Sequence, residues 1–143
     1  MKTIELIVSL KVPDTTAITA LQTLQKLGFK IKSLRRANYY KFSVEGDSSK
    51  FKEEIKKVDI LVNANKHLCV FSMEKSNDSR ILVKDIDDSN EALLSTLNHR
   101  LGIKGIKSIE KGTLWSMDAN KVVAEKAAKE LLANEHYQEF KVM

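Results

Sequence analysis

The chain has 143 residues, 43% of them apolar and 30% charged, and a formal net charge of +5. No apolar run approaches the roughly 18 residues of a membrane-spanning helix. A lone cysteine, Cys69, excludes a disulfide scaffold and a cysteine-based zinc site, and one proline with five glycines argues against a disordered chain.

Met1-Lys2-Thr3-Ile4 opens directly into strand-like alternation, so no leader peptide and a cytoplasmic location are expected. Ile4, Leu6, Val8 and Leu10 recur with the period of two that marks a strand. Pro13-Asp14-Thr15-Thr16 supplies turn and cap chemistry. Ala17, Ala20, Leu21, Leu24 and Leu27 then form one helical stripe, which Gly28 ends. Residues 30–36 alternate again. Ala37-Asn38 reads as a turn, and Tyr40, Phe42 and Val44 as the returning strand. Glu45-Gly46-Asp47-Ser48 caps a second helix carrying Phe51, Ile55, Val58 and Leu61 or Val62, and residues 68–73 give a last strand. A polar linker, Glu74 to Ser79, follows.

The second half repeats this order. A strand over 80–86 leads to a cap region at Asp87-Asp88-Ser89-Asn90-Glu91, whose acidic first turn suits a helix dipole. Leu93, Leu94, Leu97 and Leu101 form a helix stripe. Strands 106–111 and 114–117 pair around Gly112, a helix spans 122–132, and a strand spans 137–142.

Short matches tie the halves together. Leu27-Gly28-Phe29-Lys30-Ile31-Lys32-Ser33-Leu34 reads against Leu101-Gly102-Ile103-Lys104-Gly105-Ile106-Lys107-Ser108-Ile109. Ala64-Asn65-Lys66-His67 reads against Ala133-Asn134-Glu135-His136, with Phe71 and Phe140 at the same offset. The expectation is an α+β protein of two tandem ferredoxin-like βαββαβ units, residues 1–74 and 79–143, related by a pseudo-twofold axis. Each would be an antiparallel sheet covered by helices on one face, and too small to be comfortably stable alone.

Charge is uneven along the chain. Residues 1–75 hold 14 Lys+Arg against 8 Asp+Glu, and residues 76–143 hold 10 against 11. A solvated lysine-rich surface is the plain reading. Catalytic constellations are missing: there is no GxxxxGK[ST], GxGxxG, HExxH or CxxC. His67, His99 and His136 are scattered, the first and last at matching positions after a helix. Asp85, Asp87 and Asp88 read as caps and loop carboxylates, since nothing completes a calcium loop. No catalytic, metal or cofactor site is therefore assigned, and Cys69 reads as a buried inert thiol. Lys30, Lys32, Arg35, Arg36 and Lys41 make a basic hairpin with Tyr39 and Tyr40 between them. Alternation turns the two tyrosines to opposite faces, and no RNP-like pattern is present, so nucleic acid is disfavoured against a protein contact. Trp115 aligns with Tyr40 as a second large aromatic on a matching strand, which suggests a shared packing or docking face.

The segment Lys129-Glu130-Leu131-Leu132-Ala133-Asn134-Glu135-His136-Tyr137-Gln138-Glu139-Phe140 resembles the closing stretch of the PurS family, a helix running through "LLANP" into an acidic-aromatic strand. Leu27-Gly28-Phe29, Leu34-Arg35 and Ala37-Asn38-Tyr39 resemble that family's "LGY…V…VR.GKY" stretch, and Val8-Ser9-Leu10-Lys11 its first strand. The family's "DPQG" segment is missing, Glu135 and Lys66 stand where a proline is usual, and the chain carries two repeats where family members carry one. The resemblance implies a non-catalytic subunit of phosphoribosylformylglycinamidine synthase, the ATP- and glutamine-dependent amidotransferase of purine synthesis. Such a subunit bridges a synthetase (PurL-like) and a glutaminase (PurQ-like) subunit and aids ammonia transfer; self-association stays open. On this reading the partner-binding residues are Arg35, Arg36, Tyr39, Tyr40, Trp115, Asn65 and Asn134, and exchanging both arginines for glutamate should weaken one contact without unfolding the sheet. The alternative is a tandem ACT-like small-molecule-binding regulatory module, which Gly28-Phe29-Lys30-Ile31-Lys32-Ser33-Leu34 also resembles. Against it, Pro13-Asp14 is reversed and Asp87-Asp88-Ser89 lacks a glycine.

Overall fold

A computed structural model describes residues 2–72, 78–86 and 90–143. The expected acidic cap at Asp87 to Ser89 and most of the linker, residues 74–77, lie outside the described residues. The elements run β1 (Lys2–Leu10), α1 (Thr15–Lys26), β2 (Leu34–Val44), α2 (Ser48–Ile55) and β3 (His67–Val70). They continue with β4 (Ser79–Asp85), α3 (Glu91–Ser95), β5 (Ile106–Met117), α4 (Lys121–Ala127) and β6 (Gln138–Val142). A π-turn extends α3 over Thr96–Arg100, and another extends α4 over Ala128–Leu132. The protein is α+β, with an open six-stranded antiparallel sheet in the order β3-β1-β2-β5-β4-β6.

Each half thus has the order βαβαβ, not βαββαβ. The turns expected at Ala37-Asn38 and Gly112 do not form. β2 is one strand of 11 residues and β5 one strand of 12. Asn38 has no glycine partner to make the tight turn that Asn-Gly makes, and the strand continues through it from Leu34 to Val44. Gly112 serves packing instead. A Cβ there would sit 2.5 Å from the Val83 carbonyl oxygen of the neighbouring strand.

Caps follow the chemistry read from the chain. The Asp14 side chain accepts from the amides of Thr16 and Ala17, that of Asp47 from Ser49 and Lys50, and that of Asn120 from Val123. Gly28 and Gly102, past the ends of the two first helices, have φ of +97° and +69°, where a side chain would be strained.

The chain folds into two compact units, and both draw on both halves of the sequence. The first comprises residues 1–11, 39–73 and 89–111; the second comprises 12–38, 74–88 and 112–143. In the first, Ile4, Leu6 and Val8 of β1 pack with Phe42 and Val44 of β2, Phe51 and Ile55 of α2, and Leu97 of the π-turn after α3. In the second, Ala17 and Leu24 of α1 pack with Ile81 and Val83 of β4, Trp115 and Met117 of β5, and Ala124, Ala127 and Ala128. The three alanines are fully buried there.

Regrouping the chain regroups its charge. The first unit holds 12 Lys+Arg against 8 Asp+Glu, and the second 12 against 11. The difference of seven charges between sequence halves becomes a difference of three between folded units.

Candidate partner-binding surface

The two outer strand pairs, β1 with β3 and β4 with β6, are built to one plan. Val8 faces Cys69 in one, and Val83 faces Phe140 in the other. Ile7 faces Val70, and Leu82 faces Lys141. The Lys11 amide donates to Lys66 O at 2.9 Å, and the Ile86 amide to Tyr137 O at 2.9 Å. Ahead of each final strand an asparagine closes the same turn. Asn63 Oδ1 accepts from the Asn65 amide at 3.0 Å, and Asn134 Oδ1 from the His136 amide at 3.1 Å. The Asn63 amide donates to His67 Nδ1, and the Asn134 amide to Gln138 Oε1, both at 3.0 Å.

This geometry corrects the repeat alignment. Asn134 is the counterpart of Asn63, not of Asn65, and Gln138 rather than His136 is the counterpart of His67. The backbone pairs Cys69, not Phe71, with Phe140. Burial agrees: Leu61 and Val62 before one asparagine are buried, as are Leu132 and Ala133 before the other.

The residues read from sequence as partner contacts fall into three environments. Arg35 is solvent-exposed, with its Nη2 3.6 Å from Asp78 Oδ2. Arg36 is engaged inside the second unit: Nε donates to Asp14 Oδ2 at 2.9 Å and Nη2 to Asp14 Oδ1 at 3.2 Å. Asp14 therefore caps α1 and clamps Arg36 at once. Tyr39 and Trp115 are buried, at 3% and 6% exposure. Tyr39 donates its O–H to Glu5 Oε2 at 2.6 Å. Burial first, and then that bond to a carboxylate, push its phenol well above the ordinary value of 10. Tyr40 stands on the other face as alternation requires, half-buried and stacked on Phe42 at 6.2 Å. Burial raises its phenol too. Trp115 and Tyr40, 75 positions apart, both point into a core. Asn65 and Asn134 are exposed in their turns.

Three features carried no sequence motif. A cavity of about 440 Å³ in the second unit is lined by Trp115, by Thr15, Thr19 and Thr23, and by Leu131 and Leu132. The threonines recur every four residues, which puts them in one row along α1. A groove of about 500 Å³ in the first unit runs between the end of α2 and the segment after α3, lined by Lys57, Asp59, Ile60, Leu101 and Ile103. The third feature is Asp118, whose carboxylate accepts the amides of Lys32 and Ser33 at 2.9 Å each and pins that loop. The Ser33 amide, foremost, holds the Asp118 carboxyl below its ordinary value.

On the face of each outer strand pair turned away from its core, the repeats diverge. The edge strand β3 shows Leu68 and Val70, at 56% and 44% exposure. At the matching places β6 shows exposed Glu139 and Lys141. Among the described residues no group of three His, Cys, Asp or Glu side chains is placed to hold a metal, and no helix is long and apolar enough to cross a membrane. Compared with known proteins, the chain matches no family model and no curated protein.

Proposed function

We propose that this chain is a non-catalytic, PurS-like adaptor subunit of phosphoribosylformylglycinamidine synthase, built as two tandem PurS-like repeats that bridge the synthetase and glutaminase subunits and aid ammonia transfer. The observation that carries this reading is the common plan of the β1–β3 and β4–β6 strand pairs beneath unlike surfaces. Equal register and equal asparagine turns are what a duplicated domain leaves behind. Unlike outer residues suit a duplicate that meets two different partners, where two identical copies would offer the same face twice. Arg35, Asn65 and Asn134 are the exposed members of the proposed contact set. The test is co-purification with synthetase and glutaminase subunits, followed by amidotransfer with glutamine and then with free ammonia. Omitting this chain should abolish only the glutamine-dependent rate. An unchanged glutamine rate, or no complex, refutes the adaptor reading.

The cavity over Trp115 favours a second reading, an ACT-like module that binds a small molecule. Its walls combine hydroxyls with apolar surface, as small-ligand sites do. Screening amino acids by thermal shift separates the two: stabilisation by one of them, with quenching of Trp115 fluorescence, would select the regulatory module.

A further inference from the structure

We propose that the protein self-associates through the free edge of β3, two copies pairing antiparallel about a twofold axis at Cys69. The inference stands independently of the adaptor reading. β3 lies at the end of the sheet order and pairs with β1 alone among the described strands. The Lys11-to-Lys66 hydrogen bond fixes which residues of that pair exchange bonds. By alternation, Leu68 and Val70 spend their backbone groups on β1. The Cys69 amide and carbonyl, and the His67 carbonyl, then point away from the sheet; the His67 amide is taken by Asn63 O.

An antiparallel copy centred on Cys69 meets those groups. Cys69 exchanges two hydrogen bonds with its own symmetry mate, and Leu68 lies opposite Val70 of the other copy in both directions. Two exposed apolar side chains on each strand are thereby covered. The stretch from His67 to Ser72 contains no Lys, Arg, Asp or Glu, so the twofold brings no like charges together. The molecule holds its own comparison. At the same two places the other edge strand carries Glu139 and Lys141, the charged side chains that keep a sheet edge in water. One duplicate guards its edge and the other leaves it apolar. Four residues cannot supply the ~1,600 Å² of a standard interface, so the dimer is a weak one that forms with rising concentration.

The experiment is sedimentation velocity from low micromolar to near-millimolar protein. The weight-average mass should climb from 16.2 kDa toward twice that value. The double variant Leu68→Glu with Val70→Lys, which copies the β6 pattern, should stay monomeric throughout with an unchanged circular dichroism spectrum. Hydrogen exchange gives a second readout, because the Cys69 amide should slow severalfold at high concentration while amides bonded within β1 do not change. A mass constant at all concentrations, or a dimer indifferent to the double variant, overturns the proposal. A constant mass combined with loss of synthetase or glutaminase binding in the double variant also overturns it, since the edge then serves a different partner and the adaptor reading stands.

Discussion

Gly112→Ala tests whether β5 runs unbroken past β4. An added Cβ would lie 2.5 Å from the Val83 carbonyl oxygen and 2.9 Å from Lys84 Cγ. The lysine methylene can swing away, but the backbone oxygen cannot. Real Cβ atoms essentially never come within 3.0 Å of a neighbour, so the strands must part by at least about 0.5 Å. Forcing a methyl group into packed structure costs about 1–3 kcal/mol. Stiffening the unfolded chain returns about 0.4–1 kcal/mol. The net loss of about 1–2 kcal/mol lowers Tm by roughly 2–8 °C for a chain of this size. The matching place in β2 is Ala37, which accommodates its Cβ. Ala37→Gly should therefore lose only about 0.5–1 kcal/mol, the ordinary cost of glycine inside a strand. The assay is urea and thermal denaturation of both variants, with hydrogen exchange to locate any fraying. A neutral Gly112→Ala, or fraying confined to β2, would refute the close β4–β5 approach.

Other perturbations follow from single contacts. Tyr39→Phe keeps the buried ring and removes the donor to Glu5, and should cost about 1–2 kcal/mol, as bonds to charged groups do when a half-buried carboxylate can rehydrate. Because folding raises the Tyr39 phenol, its contribution is full below the ordinary value of 10 and is lost as pH rises through the folded value. Alkaline unfolding of the wild type followed by tyrosinate absorbance should show that loss, and Tyr39→Phe should lack it. Asp118→Asn should have the opposite signature. Folding lowers this carboxyl, so its contribution is present above the ordinary 3.8 and vanishes as pH falls through the folded value. The wild-type advantage in an acid titration of Tm should shrink accordingly. Arg36→Glu should destabilise by about 1–3 kcal/mol, because it sets a carboxylate against the one that caps α1. Arg35→Glu should change stability by less than about 0.5 kcal/mol. Urea denaturation of the two variants checks this difference.

The helical stripes, the caps at Asp14 and Asp47 and the first strand were legible because each is decided by residues a few positions apart. Leu24 and Phe51 are buried where the spacing placed them, and Gly28 stops its helix. The long strands were not legible, because Ala37-Asn38 reads as a turn from Asn38 alone, without the positive-φ residue a tight turn requires. That choice also hid how the cores divide. An 11-residue strand spans ~36 Å, so Leu34 at one end packs in one core and Phe42 and Val44 at the other end pack in the second. Which helix joins which core is decided by strand length, and no local pattern of hydrophobicity records it. The cavity over Trp115 was hidden for a similar reason. Its threonine row and its leucines lie more than a hundred residues apart.

The turn ahead of each final strand shows what kind of similarity the duplication kept. Ala-Asn-x-His matches letter for letter at residues 64–67 and 133–136, yet the letters that coincide do different work. The role that matters is an asparagine whose side chain accepts the amide two residues on, and whose own amide donates to a side chain four residues on. Asn63 and Asn134 perform it; His67 and Gln138 answer it with unlike groups of similar reach. The burial rhythm carried this correspondence, since two buried side chains precede the working asparagine in both copies, whereas pairing Asn65 with Asn134 would put half-buried Asn63 and exposed Ala64 in that place. A shift of two residues preserves strand alternation, so it leaves inside and outside unchanged and goes unnoticed by any hydrophobic pattern. It changes only which residue stands opposite which. That is the level at which Leu68 becomes the counterpart of Glu139, and Val70 of Lys141. The divergence of the two sheet edges is thus a property of register, visible once hydrogen bonds are known and invisible to the period of two.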